Sequence, residues 1–179
     1  MVDSYLIGKV DRISPEAPVP IVSVTKKESR LGGAANVALN IQSLGARPII
    51  CSIVGTDQEG DEFKKLLATQ QMSSEGILPV DKIKKIITEQ TIDAIIFEDY
   101  DKGVITETLI KLVVDLATQK ELIVVVDPKK RNFLHYKNVT LFKPNLKELR
   151  EGLKMDIQPK NNLDAAVNIL QQQLNAQMV

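Results

Sequence analysis

Tryptophan is absent from this chain of 179 residues, and aromatic residues make up only 4% of it. Proteins that hold single-stranded nucleic acid rely on aromatic platforms, so that class of partner is not expected. Cysteine occurs once, as Cys51, which excludes an internal disulfide. It stands in the apolar run 48–54 with no histidine or basic residue beside it, and a small buried thiol is expected there rather than a reactive one. Histidine also occurs once, as His135, without an evident partner, so a surface or packing role is expected for it. Neither sign of charge is in excess, with 23 basic and 23 acidic residues, and nothing favours a nucleic-acid or anionic-membrane partner. No hydrophobic run reaches membrane-spanning length, and no basic stretch followed by an apolar one opens the chain. A soluble, cytoplasmic protein is therefore expected.

Hydrophobic residues at 44% and charged residues at 26% are ordinary for a globular protein, and the length suits one α/β domain or part of a larger one. From Gly32 onward, helical and strand patterns alternate. Val37, Ala38, Ile41 and Leu44 recur at helical spacing until Gly45. Residues 48–54 read as a buried strand. Phe63, Leu66 and Leu67 mark a helix, as do Ile83, Ile86 and Ile87. Residues 94–97 form a second strand, Leu109 to Ala117 a helical stripe, 122–126 a third strand and 140–142 a weaker one. A last helix is expected over 163–177. Apolar strands without alternation, separated by amphipathic helices, predict a doubly wound parallel sheet covered on both faces. Residues 13–27 differ: Pro15, Pro18 and Pro20 precede an alternating run at 21–25, as in an edge strand or flap outside the main sheet.

Polar residues follow the strands closely: Asp57, Asp99, Asp127 and Asn145. Open parallel sheets bind ligands beyond the carboxyl ends of their strands, so one shared cleft is a plausible reading. The alternative is that each residue caps the next helix. Capping is favoured for Asp57, directly ahead of a helical stripe, and function for Asp99 and Asp127.

The most distinctive local string is GGAANVALN at 32–40. Paired glycines opening a helix let a ligand approach the backbone and meet its unpaired N–H groups, and Asn36 lies in the first turn. With RISPEAPVP at 12–20, EDYDKG at 98–103, DPK at 127–129 and NLKE at 145–148, the chain resembles the ribokinase-type (PfkB) carbohydrate kinases. Within them it is most similar to the heptose-7-phosphate kinases, on the strength of residues 12–20. The matching segments keep the family's order along nearly the whole chain.

The resemblance implies a ribokinase-like α/β fold with a small β flap at about 12–29, residues 1–179 being the N-terminal portion of one kinase domain. It implies an ATP- and Mg²⁺-dependent kinase acting on the anomeric hydroxyl of D-glycero-D-manno-heptose 7-phosphate, for ADP-heptose and lipopolysaccharide core synthesis. Asp3, Gly32, Gly33, Asn36 and Asp99 would hold the sugar, with Arg12 and Lys102 beside it. Asp127, Lys129, Asn145 and Glu148 would face the nucleotide phosphates, Glu148 meeting the metal indirectly. Lys129 and Arg12 also admit a plainer reading as solvated surface residues. A homodimer through the flap is implied, an exposed strand being prone to pair with another chain. Three departures accompany the resemblance: only Met1 and Val2 precede Asp3, relatives place further flap strands between about Gly76 and Val80, and no GAGD string occurs. That string carries the anion hole and the aspartate base in relatives. The chain is therefore expected to be a fragment or the visible portion of a larger enzyme. A kinase for another sugar, or a non-catalytic sugar-binding remnant, are the alternatives; a dinucleotide-binding dehydrogenase would need a GxGxxG turn, which is not present.

Overall fold

A computed structural model describes residues 1–77, 80–158 and 161–179. The chain divides into two units, Met1–Ile50 with Val54–Glu75, and Cys51–Ile53 with Gly76–Val179.

The first unit opens with two long antiparallel strands, β1 (Val2–Ile13) and β2 (Pro20–Leu31). The prolines sit where a ladder tolerates them: Pro15 and Pro18 in the connection, and Pro20 as the first residue of β2. Irregularities in register between Ile7 and Gly8 and between Val10 and Arg12 twist the ribbon. Its apolar side chains are largely uncovered, Leu6 being 62% and Ile13 67% exposed. Helices α1 (Ala34–Ser43) and α2 (Gln58–Thr69) follow. Helix α1 ends where Gly45 takes a positive φ, and α2 starts where the Asp57 carboxylate accepts the Gly60 N–H at 2.8 Å, the cap expected of it. Ala35, Ala38, Phe63 and Leu67 are buried on the inner faces of the two helices.

The second unit is a parallel three-stranded sheet in the order β3 (Ala94–Glu98), β4 (Ile123–Asp127), β5 (Leu141–Phe142). Helices α3 (Val80–Glu89), α4 (Glu107–Gln119), α5 (Leu146–Leu153) and α6 (Leu163–Leu174) accompany it. One core gathers Phe97, Val124, Val126 and Phe142 from the strands with Ile110, Val113, Leu149, Leu170 and Leu174 from the helices. Phe97, Tyr136, Phe142 and Phe133 meet in successive ring contacts at 5.1–6.1 Å, which hold the segment after β4 against the strand.

Four expectations change. Residues 48–54 form no strand; among the described residues they make a single bridge, Ser52 to Ile77, because an apolar run becomes a strand only where a partner backbone lies alongside. Cys51 is exposed, although its neighbours Ile50 and Ser52 are buried. The sheet of the second unit is packed on one face, while Ile96 and Ile123 on the other are 43% and 51% exposed. Helix α6 stops at Leu174, where Asn175 turns left-handed, and Met178 then bridges to Leu141 beside β5. Helix α5 had no sequence counterpart beyond its NLKE start. The junction expected between about Gly76 and Val80 falls partly on Leu78 and Pro79, outside the described residues.

Candidate functional site

In the first unit, four of the sugar-site candidates come together at the start of α1. The Gly32 N–H donates to the Met1 carbonyl at 2.8 Å, which brings the beginning of β1 beside the end of β2. The Asp3 carboxylate then lies over the Gly32 Cα, in the space a β-carbon would occupy. Gly33 is the cap residue at φ 54°, ψ −134°, a conformation essentially reserved for glycine, and no side chain caps the helix. Asn36 is exposed in the first turn. An exposed carboxylate, an exposed amide and a helix start without a side-chain cap form a polar patch suited to hydroxyl groups. Arg12 is not part of this patch; it lies toward the far end of β1, paired in register with Ile21.

In the second unit, the carboxyl ends of the strands carry the remaining candidates. Asp99 follows β3, and its N–H extends the ladder to the Asp127 carbonyl at 3.2 Å. Its side chain is enclosed. The residue is 2% exposed, and its carboxylate accepts from the Asp101 N–H (2.8 Å), the Asn132 amide (2.9 Å) and the Tyr136 hydroxyl (2.8 Å). Burial, followed by the hydrogen bond to Asp99 and the carboxylate's charge, pushes the Tyr136 phenol far above its ordinary range. Lys102, three residues on, is exposed.

Asp127, Lys129, Asn145 and Glu148 form a continuous polar chain after β4 and β5. The Lys129 ammonium is bonded to the Glu148 carboxylate and lies 3.8 Å from Asp127. Glu148 and Asn145 complete a capping box on α5, each accepting the other's N–H at 2.9 Å. Burial by itself would lower Lys129, but its hydrogen bond and attraction to Glu148, aided by Asp127, raise it above the ordinary lysine range. Lys143 donates to the second Asp127 oxygen at 3.0 Å. Glu98, opposite Asp127 in register, has its carboxyl raised by burial first and by the Asp127 charge second. Sequence reading gave no role to Lys143, Glu98, Asn132 or Tyr136. Lys143 stands two residues before the NxxE motif and Glu98 directly before the DYxKG turn, so position relative to the motifs was the available signal.

Among the described residues no group of three carboxylate, histidine or cysteine side chains is placed to hold a metal. The oxygens of Glu148 are taken by Lys129 and the Asn145 N–H, and those of Asp127 by two lysines. Such a set fits Mg²⁺ held mainly by phosphate and water, with these carboxylates one step removed, and does not form a protein cage. His135 lies apart, its imidazole 3.8 Å from the Glu107 carboxylate on α4. Among the described residues no helix is long and apolar enough to cross a membrane.

Comparison with known proteins bears on this arrangement. Residues 2–94 match the pfkB family carbohydrate kinases. The bifunctional protein HldE of Helicobacter pylori is 34% identical over 207 residues, covering 95% of this chain and 44% of that protein. HldE of Aliarcobacter butzleri is 33% identical over 214 residues, covering 99% and 45%. The chain thus spans less than half the length of these relatives. Both alignments are also longer than the chain's 179 residues, so the relatives carry positions between matched segments that it lacks. Among solved structures, the tetrameric inhibited form of Escherichia coli phosphofructokinase-2 superposes with a TM-score of 0.70 at 17% identity, covering 93% of this chain and 66% of that one. The same enzyme in complex with fructose-6-phosphate gives 0.70 at 20% identity, with the same coverage. The first likeness in sequence settles the family and the second the ribokinase-like fold: this chain belongs to the PfkB carbohydrate kinases.

Proposed function

We propose that the intact protein is a kinase transferring the γ-phosphoryl group of ATP to the anomeric hydroxyl of D-glycero-D-manno-heptose 7-phosphate, in the cytoplasm, on the route to ADP-heptose and the lipopolysaccharide core. The observation that carries the reading is the Asp3 carboxylate seated over Gly32 at the glycine-capped start of α1. A carboxylate accepts hydroxyl protons strongly, and the helix N–H groups supply complementary donors. Asn36 adds both a donor and an acceptor from the same turn. The heptose assignment draws its support from residues 12–20 and from the HldE relatives.

In the second unit, Lys129 and Lys143 are the cations proposed to meet nucleotide phosphate, Asp127 and Glu148 holding them in place until it arrives. Mg²⁺ entering with the nucleotide would neutralise the charge that develops on the transferred group. No residue of this chain is assigned as the base for the sugar hydroxyl; in relatives that role belongs to the GAGD segment. The uncovered apolar residues of β1 and β2 support pairing of two copies through this hairpin.

The test is ADP release by the purified intact protein with MgATP and a panel of sugar phosphates. Turnover with heptose 7-phosphate above the other sugars is expected. Equal turnover across the panel would replace heptose by another sugar. Binding of heptose 7-phosphate without any turnover would leave the sugar-binding alternative in its place.

A further inference from the structure

We infer that Asp99 is a positioning residue that clamps the loop carrying Lys102, and that it takes no ligand itself. An ionised carboxylate offers about four acceptor positions. Three are filled from inside the protein, and with 2% of the residue exposed a sugar hydroxyl has no approach to the fourth. The donors come from two directions. The Asp101 N–H belongs to the loop itself, whereas Asn132 and Tyr136 belong to the segment after β4. Asn132 also donates to the Ile105 carbonyl at 3.0 Å, so one amide ties the loop at both of its ends. The Arg131 side chain approaches the Asp101 carboxylate at 2.9 Å and adds an outer contact. Asp101 itself is held at φ 53°, a left-handed conformation that a non-glycine residue adopts only when its surroundings dictate it. Between these ties the chain presents exposed Tyr100 and Lys102, followed by Gly103 at φ 83°. Where the Lys102 ammonium is presented is therefore set by a buried node that the lysine never touches.

For its ligand arm this inference rests on the sugar-kinase reading; for the clamp it does not. The experiment uses the full chain as wild type, Asp99→Asn, Lys102→Ala, the Asp99→Asn/Lys102→Ala double variant, and Tyr136→Phe. Asp99→Asn keeps the shape but turns an NH₂ toward groups that are themselves donors, and Tyr136→Phe removes one donor alone. Two quantities are read: amide hydrogen exchange over residues 100–105, and affinity for heptose 7-phosphate by calorimetry. Asp99→Asn should speed exchange in the loop while α4 and α6 stay protected, and weaken the sugar phosphate by roughly tenfold. The double variant should bind no more weakly than Lys102→Ala, because two changes acting through one group do not add. Tyr136→Phe should give the same pattern at smaller size, and it decides the matter if Asp99→Asn does not fold. Unchanged loop exchange in both variants overturns the inference. So do additive losses in the double variant, or a Lys102→Ala variant that binds as wild type. A wild type that binds no sugar phosphate sinks the kinase reading, while the exchange measurement still decides the clamp.

Discussion

Replacing Gly32 by alanine separates a binding role for Asp3 from a folding role. The new β-carbon would fall within the Asp3 carboxylate, so the two cannot keep their present positions. Asp3 is exposed and its side chain is short and mobile, so the carboxylate can swing aside. That displacement costs about 0.5–1.5 kcal/mol, the range for a side chain forced from its preferred rotamer. Alanine also restricts the unfolded chain, which returns about 0.4–1 kcal/mol, and Gly32 has no positive φ to oppose it. The two terms nearly cancel, and the melting temperature should stay within about 2 °C of wild type. Binding should respond differently. A hydrogen bond to a charged group contributes about 1.5–3 kcal/mol when it is lost, which is roughly 10- to 150-fold in affinity for heptose 7-phosphate. Asp3→Ala should reproduce that loss, and the double variant should add nothing. Gly33→Ala supplies the contrast: alanine at φ 54°, ψ −134° is strained by about 1–3 kcal/mol, and its melting temperature should fall by several degrees. Calorimetric titration and thermal unfolding of the same samples decide the matter. A Gly32→Ala protein that binds as wild type, or one destabilised as much as Gly33→Ala, would refute the reasoning.

Further expectations concern the second unit. Glu148→Ala removes both the partner of Lys129 and half of the α5 capping box, so it should destabilise the unit by about 1–2 kcal/mol in urea unfolding, more than Lys129→Met does. Gly152→Ala lies in α5, where alanine would ordinarily stabilise by about 1 kcal/mol. Here its β-carbon would enter the buried Phe133 ring, which is packed at 5.1 Å against Phe142, and overpacking of about 1–3 kcal/mol should reverse the sign. A more stable Gly152→Ala protein would show that the ring has room to move. The raised Glu98 carboxyl means that the folded state holds a proton the unfolded state has released, so stability is full below the ordinary carboxylate range and declines as pH rises toward the folded value. Glu98→Gln should therefore melt higher than wild type at about pH 7, the difference closing below about pH 4. An equal difference at both pH values would mean that the gain is not electrostatic.

Local signals located much of this architecture. Helical spacing placed α1, α2, α3, α4 and α6, because an amphipathic stripe of 3.6-residue period reflects burial on one side whatever the partner is. The Asp57 cap and the glycines at 32 and 33 were legible for a similar reason: backbone demands at a helix end are met by residues within a few positions. Residues 48–54 show the limit. Composition supplied an apolar run, but strand formation depends on a distant backbone, and among the described residues that run makes one bridge, at Ser52. Cys51 and the uncovered face bearing Ile96 and Ile123 were misjudged for the same reason, since hydrophobicity alone does not say which surfaces have a partner.

At the site, sequence order was enough to single out Asp3, the paired glycines, Asp127, Lys129, Asn145 and Glu148 as candidates and to attach the chain to its family. Chemistry at each position was not. Whether a carboxylate accepts from a ligand or from its own protein depends on donors remote in sequence: Asn132 and Tyr136 for Asp99, Lys129 for Glu148. Periodicity and motif carry information over a few residues, and those determine elements and family. Separations of 19 residues between Lys129 and Glu148, and of 33 and 37 between Asp99 and its partners, are closed only when the strands align and the core packs. That packing is what buries the Asp99 carboxylate among the Asp101 N–H, the Asn132 amide and the Tyr136 hydroxyl.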